Sequence, residues 1–302
     1  MIRFLVFSDL HYDHIFDADK RIQKLLDVIQ REKLNFVISL GDLCCPIKEN
    51  MHIAESFCNL SVPFYPCVGN HDCEHYRMEE LKDFWKRNDL FYSFVIEKTK
   101  FIVLNSCYMN HENVEIIYQK GLYNKTIDTY PIIPQTEFEW LKREIRDDMN
   151  YVIFSHHSLV NEYPKRGVSN RGAIREILKT KKVLLCMNGH DHGDDIKTVD
   201  SITYFTVNSM SYIWHGMKPM FSYTEEIHNK YPYLKDVILY ERPLYCIVEI
   251  DGQEVKISSM DSTFQNILPE DVGIMERRWN GVSIEPVISS WNIDRISKKR
   301  QA

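Results

Sequence analysis

Five short blocks along this chain carry side chains that bind divalent metals. They are Asp9-Leu10-His11, Gly41-Asp42, Gly69-Asn70-His71-Asp72, His156-His157 and Gly189-His190-Asp191-His192. Imidazoles, carboxylates and an amide oxygen are the donors that zinc, manganese and iron accept. Each block has an ordinary reading of its own. Asp9 could cap a turn, Asp42 could be a turn residue after Gly41, and Gly69-Asn70 is a common turn dipeptide. What sets them apart is that all five occur in order, each directly after an expected strand. Two cations about 3.5–4 Å apart need an anionic bridge, and a carboxylate such as Asp42 can give one oxygen to each. His71 could donate a proton to a leaving alkoxide. Asp72 could orient His71, or could equally cap the helix expected to start near His75.

The elements that must position these blocks alternate early in the chain. Ile2–Ser8, Phe36–Leu40, Pro63–Val68, Tyr151–Ser155 and Val183–Asn188 are short apolar runs that predict buried strands. Ala18–Arg31 places Ile22, Leu25, Leu26 and Ile29 at helical spacing. Further helices are expected around His52–Cys58 and over Glu79–Arg87, Thr136–Asp147 and Arg171–Leu178. A hairpin is expected at Phe91–Glu97 and Phe101–Asn105, and the chain after Ile196 reads as mostly β. Such alternation favours parallel strands, whose carboxyl ends share one edge where ligands bind. Stretches 107–134 and 212–243 lack clear periodicity, and long irregular segments inside a compact domain are usually functional loops or disorder. Tyr108, His111, Tyr212 and His215 in them, with His157 beside a proposed ligand, are the candidate substrate contacts; packing onto the body is their ordinary alternative. Tyrosines 118, 123 and 130 could likewise cover an organic leaving group.

Taken together, the blocks resemble the signature of the calcineurin-like dinuclear metallophosphoesterases, D-x-H, G-D, G-N-H-D/E, H and G-H-x-H. The resemblance covers about residues 2–208, in the branch similar to bacterial cyclic-nucleotide phosphodiesterases. It implies a four-layer α/β/β/α sandwich of two mixed sheets flanked by helices. It also implies two divalent or mixed-valence metals such as Mn, Fe or Zn. Asp9, His11, Asp42 and His192 would hold the first metal, and Asn70, His156 and His190 the second, with Asp42 bridging. His71 matches the family's non-ligand histidine near the scissile phosphate, and Asp72 follows it as a second catalytic candidate. Departures narrow the expectation. Pro46 stands where related protein phosphatases carry a phosphate-gripping arginine, and Cys45 where purple acid phosphatases carry an iron-binding tyrosine. Cys45 is a candidate soft ligand, though a free cysteine more often packs as a small hydrophobe.

Composition bounds the rest. Of 302 residues, 44% are hydrophobic and 26% charged, which excludes a disordered or collagen-like chain. A net charge of −6 without a basic run disfavours nucleic acid as a partner. No apolar run reaches the roughly 18 residues of a membrane span. The N-terminus reads as a strand and not as a signal peptide, and eight cysteines without paired spacing fit a reducing cytoplasm. One domain over 1–260 with a C-terminal extension over 261–302 packed on it is expected. The expected activity is hydrolysis of a small organic phosphodiester, a cyclic nucleotide being one candidate. A phosphomonoesterase stands next, then a nuclease or a non-catalytic scaffold.

Overall fold

The computed structural model describes residues 1–122, 125–146 and 148–293. Tyr123, the expected helix end at Asp147, and residues 294–302 of the expected extension lie outside them. Twelve strands form two six-stranded mixed sheets. The first runs, edge to edge, Trp291–Ile293, Glu254–Ser259, Cys246–Asp251, Ile2–Phe7, Phe36–Ser39, Phe64–Pro66. Its last three strands are parallel, and the first three add antiparallel. The second runs Asp195–Val199, Ile202–Thr206, Val183–Asn188, Asn150–Ser155, Thr99–Val103, Tyr92–Ile96. Its four middle strands are parallel, and both edge strands are antiparallel.

Alternation within the strands explains the layers. Along Ile2–Phe7, Phe4 and Val6 face the second sheet and meet Phe101, Val103, Val152 and Phe154. Leu5 and Phe7 point the other way, onto Ile22, Leu25 and Ile29 of helix Ala18–Arg31 and onto Phe57 of helix Met51–Cys58. On the second sheet, Ile102, Tyr151, Ile153 and Val183 pack against Leu141 of helix Gln135–Glu144 and Ile174 and Leu178 of helix Arg171–Leu178. Strands covered on both faces must be apolar at every position, which is why they read as unbroken hydrophobic runs. The result is the expected α/β/β/α sandwich.

The two stretches expected to be irregular carry structure of their own. Tyr108–His111 pairs with Val114–Ile117 and Pro131–Ile132 in a small antiparallel sheet. Tyr212–Trp214 pairs with Val237–Leu239, and helix Glu225–Lys230 lies between them in the chain. Strands of two to four residues are too short to show a period, so composition alone suggested loops. Beyond residue 260, Ile284 and Ile288 are buried in the core between the sheets, and Trp291–Ile293 extends the first sheet. Among the described residues, no helix is long and apolar enough to cross a membrane.

Candidate active site

Parallel strands from both sheets end at one edge, where their last carbonyls hold the next turns. Leu40 N donates to Phe7 O (2.9 Å), Gly189 N to His156 O (3.1 Å), and Met210 N crosses between sheets to Ser8 O (2.8 Å). The turns are sharp. Asp9, His11, Asp42, His190 and His192 all adopt left-handed backbone, with φ between 48° and 69°. That conformation is sterically costly for any residue with a Cβ, and persists where the surroundings enforce it. It aims five side chains back into the cleft between the sheets.

Two groups of donor atoms meet there. In the first, His11 Nε2 and His192 Nε2 approach to 2.9 Å. Asp9 Oδ1 lies 3.8 Å from His11 Nε2 and 3.5 Å from His192 Nε2. In the second, His156 Nε2 lies 3.1 Å from Asn70 Oδ1 and 3.3 Å from Asp42 Oδ2. Asp42 Oδ2 also lies 3.6 Å from His11 Nε2, so the same oxygen faces both groups. Its companion Oδ1 is occupied, accepting from His71 N at 2.8 Å. The expectation that Asp42 offers one oxygen to each group therefore changes: Oδ2 alone lies between them.

The far side of three of the rings is fixed by a carbonyl. His156 Nδ1 donates to Leu40 O (2.8 Å), His192 Nδ1 to Tyr212 O (2.8 Å) and His190 Nε2 to Lys165 O (2.9 Å). Those bonds leave the opposite ring nitrogens as lone-pair donors, the second-shell pattern of metal-binding histidines. Asp9 Oδ2 accepts from Ser8 Oγ and His190 N, whereas buried Asp9 Oδ1 has no donor. Burial would lower His156, but Asp42 outweighs it and raises the ring to about 9, so a cation there would take the place of a proton. At Asp9 Oδ1 a cation would meet a lone pair with no donor, and these residues fit divalent metal.

Charge follows the same division. Burial pushes Asp42 up, but the charges of His156 and His71 outweigh it and hold the carboxyl well below its usual range. Burial, reinforced by Asp42, pushes Asp9 up against the pull of His156. Two neighbouring carboxylates split in this way because they resist ionising together. Burial also lowers His11, His190 and His192, keeping them in the neutral form that binds metal.

Close packing needs glycine at two turns. A Cβ on Gly69 would lie 2.0 Å from Asp42 Oδ1, and one on Gly189 would lie 1.9 Å from Ser8 Oγ. Gly69→Ala should therefore displace Asp42, weakening Mn²⁺ binding in calorimetric titration and costing about 1–3 kcal/mol of stability by overpacking. Unchanged Mn²⁺ affinity would show that the loop yields.

His71 stands just outside the donor groups, its ring 4.8 Å from that of His11. Its Nδ1 pairs with Glu74 Oε1 at 2.8 Å. Asp72 serves otherwise: its carboxylate accepts from the backbone of Asp42 (2.9 Å), Leu43 (3.0 Å) and Gly69 (2.7 Å), tying two ligand turns together. Orientation of His71 thus passes from Asp72 to Glu74, three residues on along a short helical turn. Glu74 is held in turn by Lys120 Nζ (3.0 Å), which also donates to Tyr233 OH (2.7 Å).

A family model described as calcineurin-like phosphoesterase matches residues 2–194. The chain belongs to this family. A search of curated proteins finds no match. Among solved structures, a dimetal phosphatase from Danio rerio is similar at 14% identity and TM-score 0.61, covering 85% of this chain and 95% of that one. GAP50, described as the anchor in the inner membrane complex of Plasmodium, is similar at 13% identity and TM-score 0.54, covering 95% and 91%. At such identities the likeness shows the fold. The calcineurin-like phosphoesterases are metal-dependent hydrolases of phosphoric esters, and the donor cluster agrees with that chemistry.

In this phosphoesterase the expected substrate contacts are redistributed. Tyr212 is fully buried behind the ligands, its ring 4.8 Å from that of His192 and its hydroxyl 3.1 Å from His14 Nδ1. His215 is buried with Nδ1 accepting from Met217 N, because one residue of strand separates it from the face carrying Tyr212 and Trp214. His157 is buried against His190 (ring centroids 4.2 Å) with Nδ1 2.9 Å from Ser106 Oγ, and a ring nitrogen of His157 lies in one donor group with those of His156 and His190. Tyr108 lines a separate cavity of about 320 Å³ with Met78, Leu90 and Ile117. His111 sits at the far end of its strand, next to the hairpin turn. The rings over the site are Trp214, Tyr233 and His14 instead. Trp214 lies 6.3 Å from His71 and 5.8 Å from Tyr233, and Tyr233 lies 4.3 Å from His14. Period-two alternation from Tyr212 would have pointed to Trp214; nothing local marks Tyr233 or Lys120. Cys45 is half-buried, its backbone N–H bound by Asp13, and burial, reinforced by Asp13, pushes its thiol up, away from the thiolate a metal needs.

Proposed function

We propose that this protein hydrolyses a small organic phosphodiester at a pair of divalent cations. The observation that carries the reading is Asp42 Oδ2, one carboxylate oxygen facing both donor groups. Asp9, His11, Asp42 and His192 would hold one cation, and Asp42, Asn70, His156 and His190 the other. Bound there, the pair supplies hydroxide near neutral pH and offsets charge on the phosphoryl oxygens. His71, protonated and steered by Glu74, gives its proton to the departing alkoxide. Trp214 and Tyr233 offer an apolar wall for the organic part of the ester, where a nucleobase would stack.

The apolar wall of Trp214 and Tyr233 favours a diester, whose second organic group it would cover, over a monoester. An anchoring role, as described for the Plasmodium protein, would not need this donor set or a paired His71.

Metal-stripped protein reloaded with Mn, Zn, Fe, Co or Ni, and assayed on cyclic nucleotides, aryl diesters and monoesters, tests the proposal. Two ions per chain and higher kcat/KM on diesters are expected. One ion per chain would overturn the pair, and monoester preference with every metal would overturn the diester reading. Trp214→Ala should weaken nucleotide diesters by about 1–3 kcal/mol in kcat/KM, the range for one base–aromatic stack, and spare small alkyl diesters.

A further inference from the structure

Residues 279–289 lie beyond the 2–194 covered by the family model, yet they touch the turn that carries His190 and His192. Asp194 and Ser283 exchange backbone hydrogen bonds in both directions, 2.7 Å and 2.8 Å. The Asp194 carboxylate then accepts from Ser289 N (2.9 Å) and Ser289 Oγ. Between these contacts, Gly193 is pressed so closely that a Cβ would lie 2.4 Å from the Val282 side chain and 2.6 Å from Ser283 O.

A second route reaches the same turn from its other side. Asn161 Nδ2 donates to Asp191 Oδ2 (3.1 Å) and to Asn280 O (3.2 Å), so one amide joins the residue between the two histidines to the C-terminal segment. With its amide turned to the orientation that satisfies both of its ends, Asn280 Oδ1 would accept from Trp279 Nε1 (2.9 Å) and from Arg166 Nε (3.1 Å) and Nη2 (2.8 Å). Arg166 follows Lys165, whose carbonyl fixes His190 Nε2. Asn161, Asp191 and Asp194 are all buried. The segment is itself anchored: Ile284 and Ile288 lie in the core between the sheets, and Asn208 Nδ2 donates to Glu285 O (2.9 Å) and Val287 O (3.0 Å).

We infer that residues 279–289 are a brace that holds His190 and His192 in metal-binding geometry, with Asp194 and Asn280 as its positioning residues. His190 and His192 both sit in left-handed backbone, on opposite sides of Asp191. A turn of that kind relaxes unless something outside it prevents relaxation. The ring of each histidine is already fixed by a carbonyl; the brace fixes the turn from which both rings project. It acts on one ligand of each proposed cation, so loosening it should affect both.

The inference rests on the assignment of His190 and His192 as ligands, and the test separates the two. Full-length, metal-stripped wild type, Asp194→Ala, Asp194→Asn and Asn280→Ala are titrated with Mn²⁺ by calorimetry and melted in EDTA. Loss of an outer partner of a metal ligand typically weakens metal binding about 10–100-fold. Asp194→Ala and Asn280→Ala should both show such a loss. Asp194→Asn, which can still accept from Ser289 N and pair with Ser289 Oγ, should stay within a few-fold of wild type. A lower Tm with Mn²⁺ affinity unchanged in both alanine variants would reduce the segment to packing and overturn the brace. Affinity and Tm both unchanged would overturn it too. Wild type that binds no Mn²⁺ would instead defeat the ligand assignment. Should Asp194→Ala fail to fold, Asn161→Ala decides, since it removes the bridge between Asp191 and Asn280 O and leaves the Asp194–Ser289 contacts intact; unchanged Mn²⁺ affinity in it would overturn the brace.

Discussion

Asp42→Ala is expected to leave a protein that retains its sheets but has no measurable phosphoesterase turnover. The side chain is buried and performs two tasks with two oxygens. Oδ2 faces both donor groups, and Oδ1 holds His71 N. Removing it leaves Asp9 as the sole carboxylate among four imidazoles and an amide, with no anion between the two groups. It also strands a buried N–H, which costs about 1–3 kcal/mol. Elemental analysis should show that the variant no longer retains two ions, and circular dichroism should show the fold preserved. Asp42→Asn separates charge from shape: its Oδ1 can still accept from His71 N, so stability should recover while metal retention does not. Turnover close to wild type in Asp42→Ala would remove Asp42 from the centre of the site.

The second large effect is expected at His71. His71→Gln should retain both metals and lower kcat by about 10²–10⁴, the usual contribution of a positioned proton donor. Its ring lies 4.8 Å from that of His11 and a ring nitrogen comes near those of His11 and His14, but Nδ1 pairs with Glu74, and as proton donor the ring is taken as a non-ligand. Glu74→Gln should lose less, because the ring stays in place while the charge that favours its protonated form is gone. KM should move little in either case. If His71→Gln releases metal, or leaves kcat intact, the proton-donor role fails. The two outcomes are distinguished by measuring metal content on the same preparations used for kinetics.

Much of this site could be read directly from the chain, and the reason is geometric. Buried parallel strands are continuous apolar runs, and each ends where polar residues begin, so Phe7, Ser39, Pro66, Ser155 and Asn188 mark the edge from which the ligands project. Helix Ala18–Arg31 is equally visible because Ile22, Leu25 and Ile29 are buried on one face. What escaped the reading depends on contacts between distant segments. Glu74 matters only because the turn after Asn70 brings it to His71 Nδ1, and Asp72 was drawn instead to three backbone donors. Lys120 and Tyr233 come from separate stretches without periodicity and meet only in the folded protein. Tyr212 and His215 were chosen as aromatic neighbours, whereas Tyr212 is covered by His14 and His192 on the face it shares with Trp214, and alternation turns His215 aside.

The left-handed turns at Asp9, His11, Asp42, His190 and His192 also set stability against chemistry over evolutionary time. Each such residue costs about 1–2 kcal/mol relative to an ordinary backbone, so the five together approach about 5–10 kcal/mol, a sum comparable to the whole net stability of a domain. The substitution that would relieve every one of them is glycine, and glycine is also the substitution that deletes the donor. Drift at these positions would trade that strain against the hydrogen bonds the side chains hold, such as those of Asp42 to His71 N and of Asp9 to His190 N. A lineage that stopped needing the reaction should lose first the positions whose side chains hold the fewest of them, and gain thermal stability there.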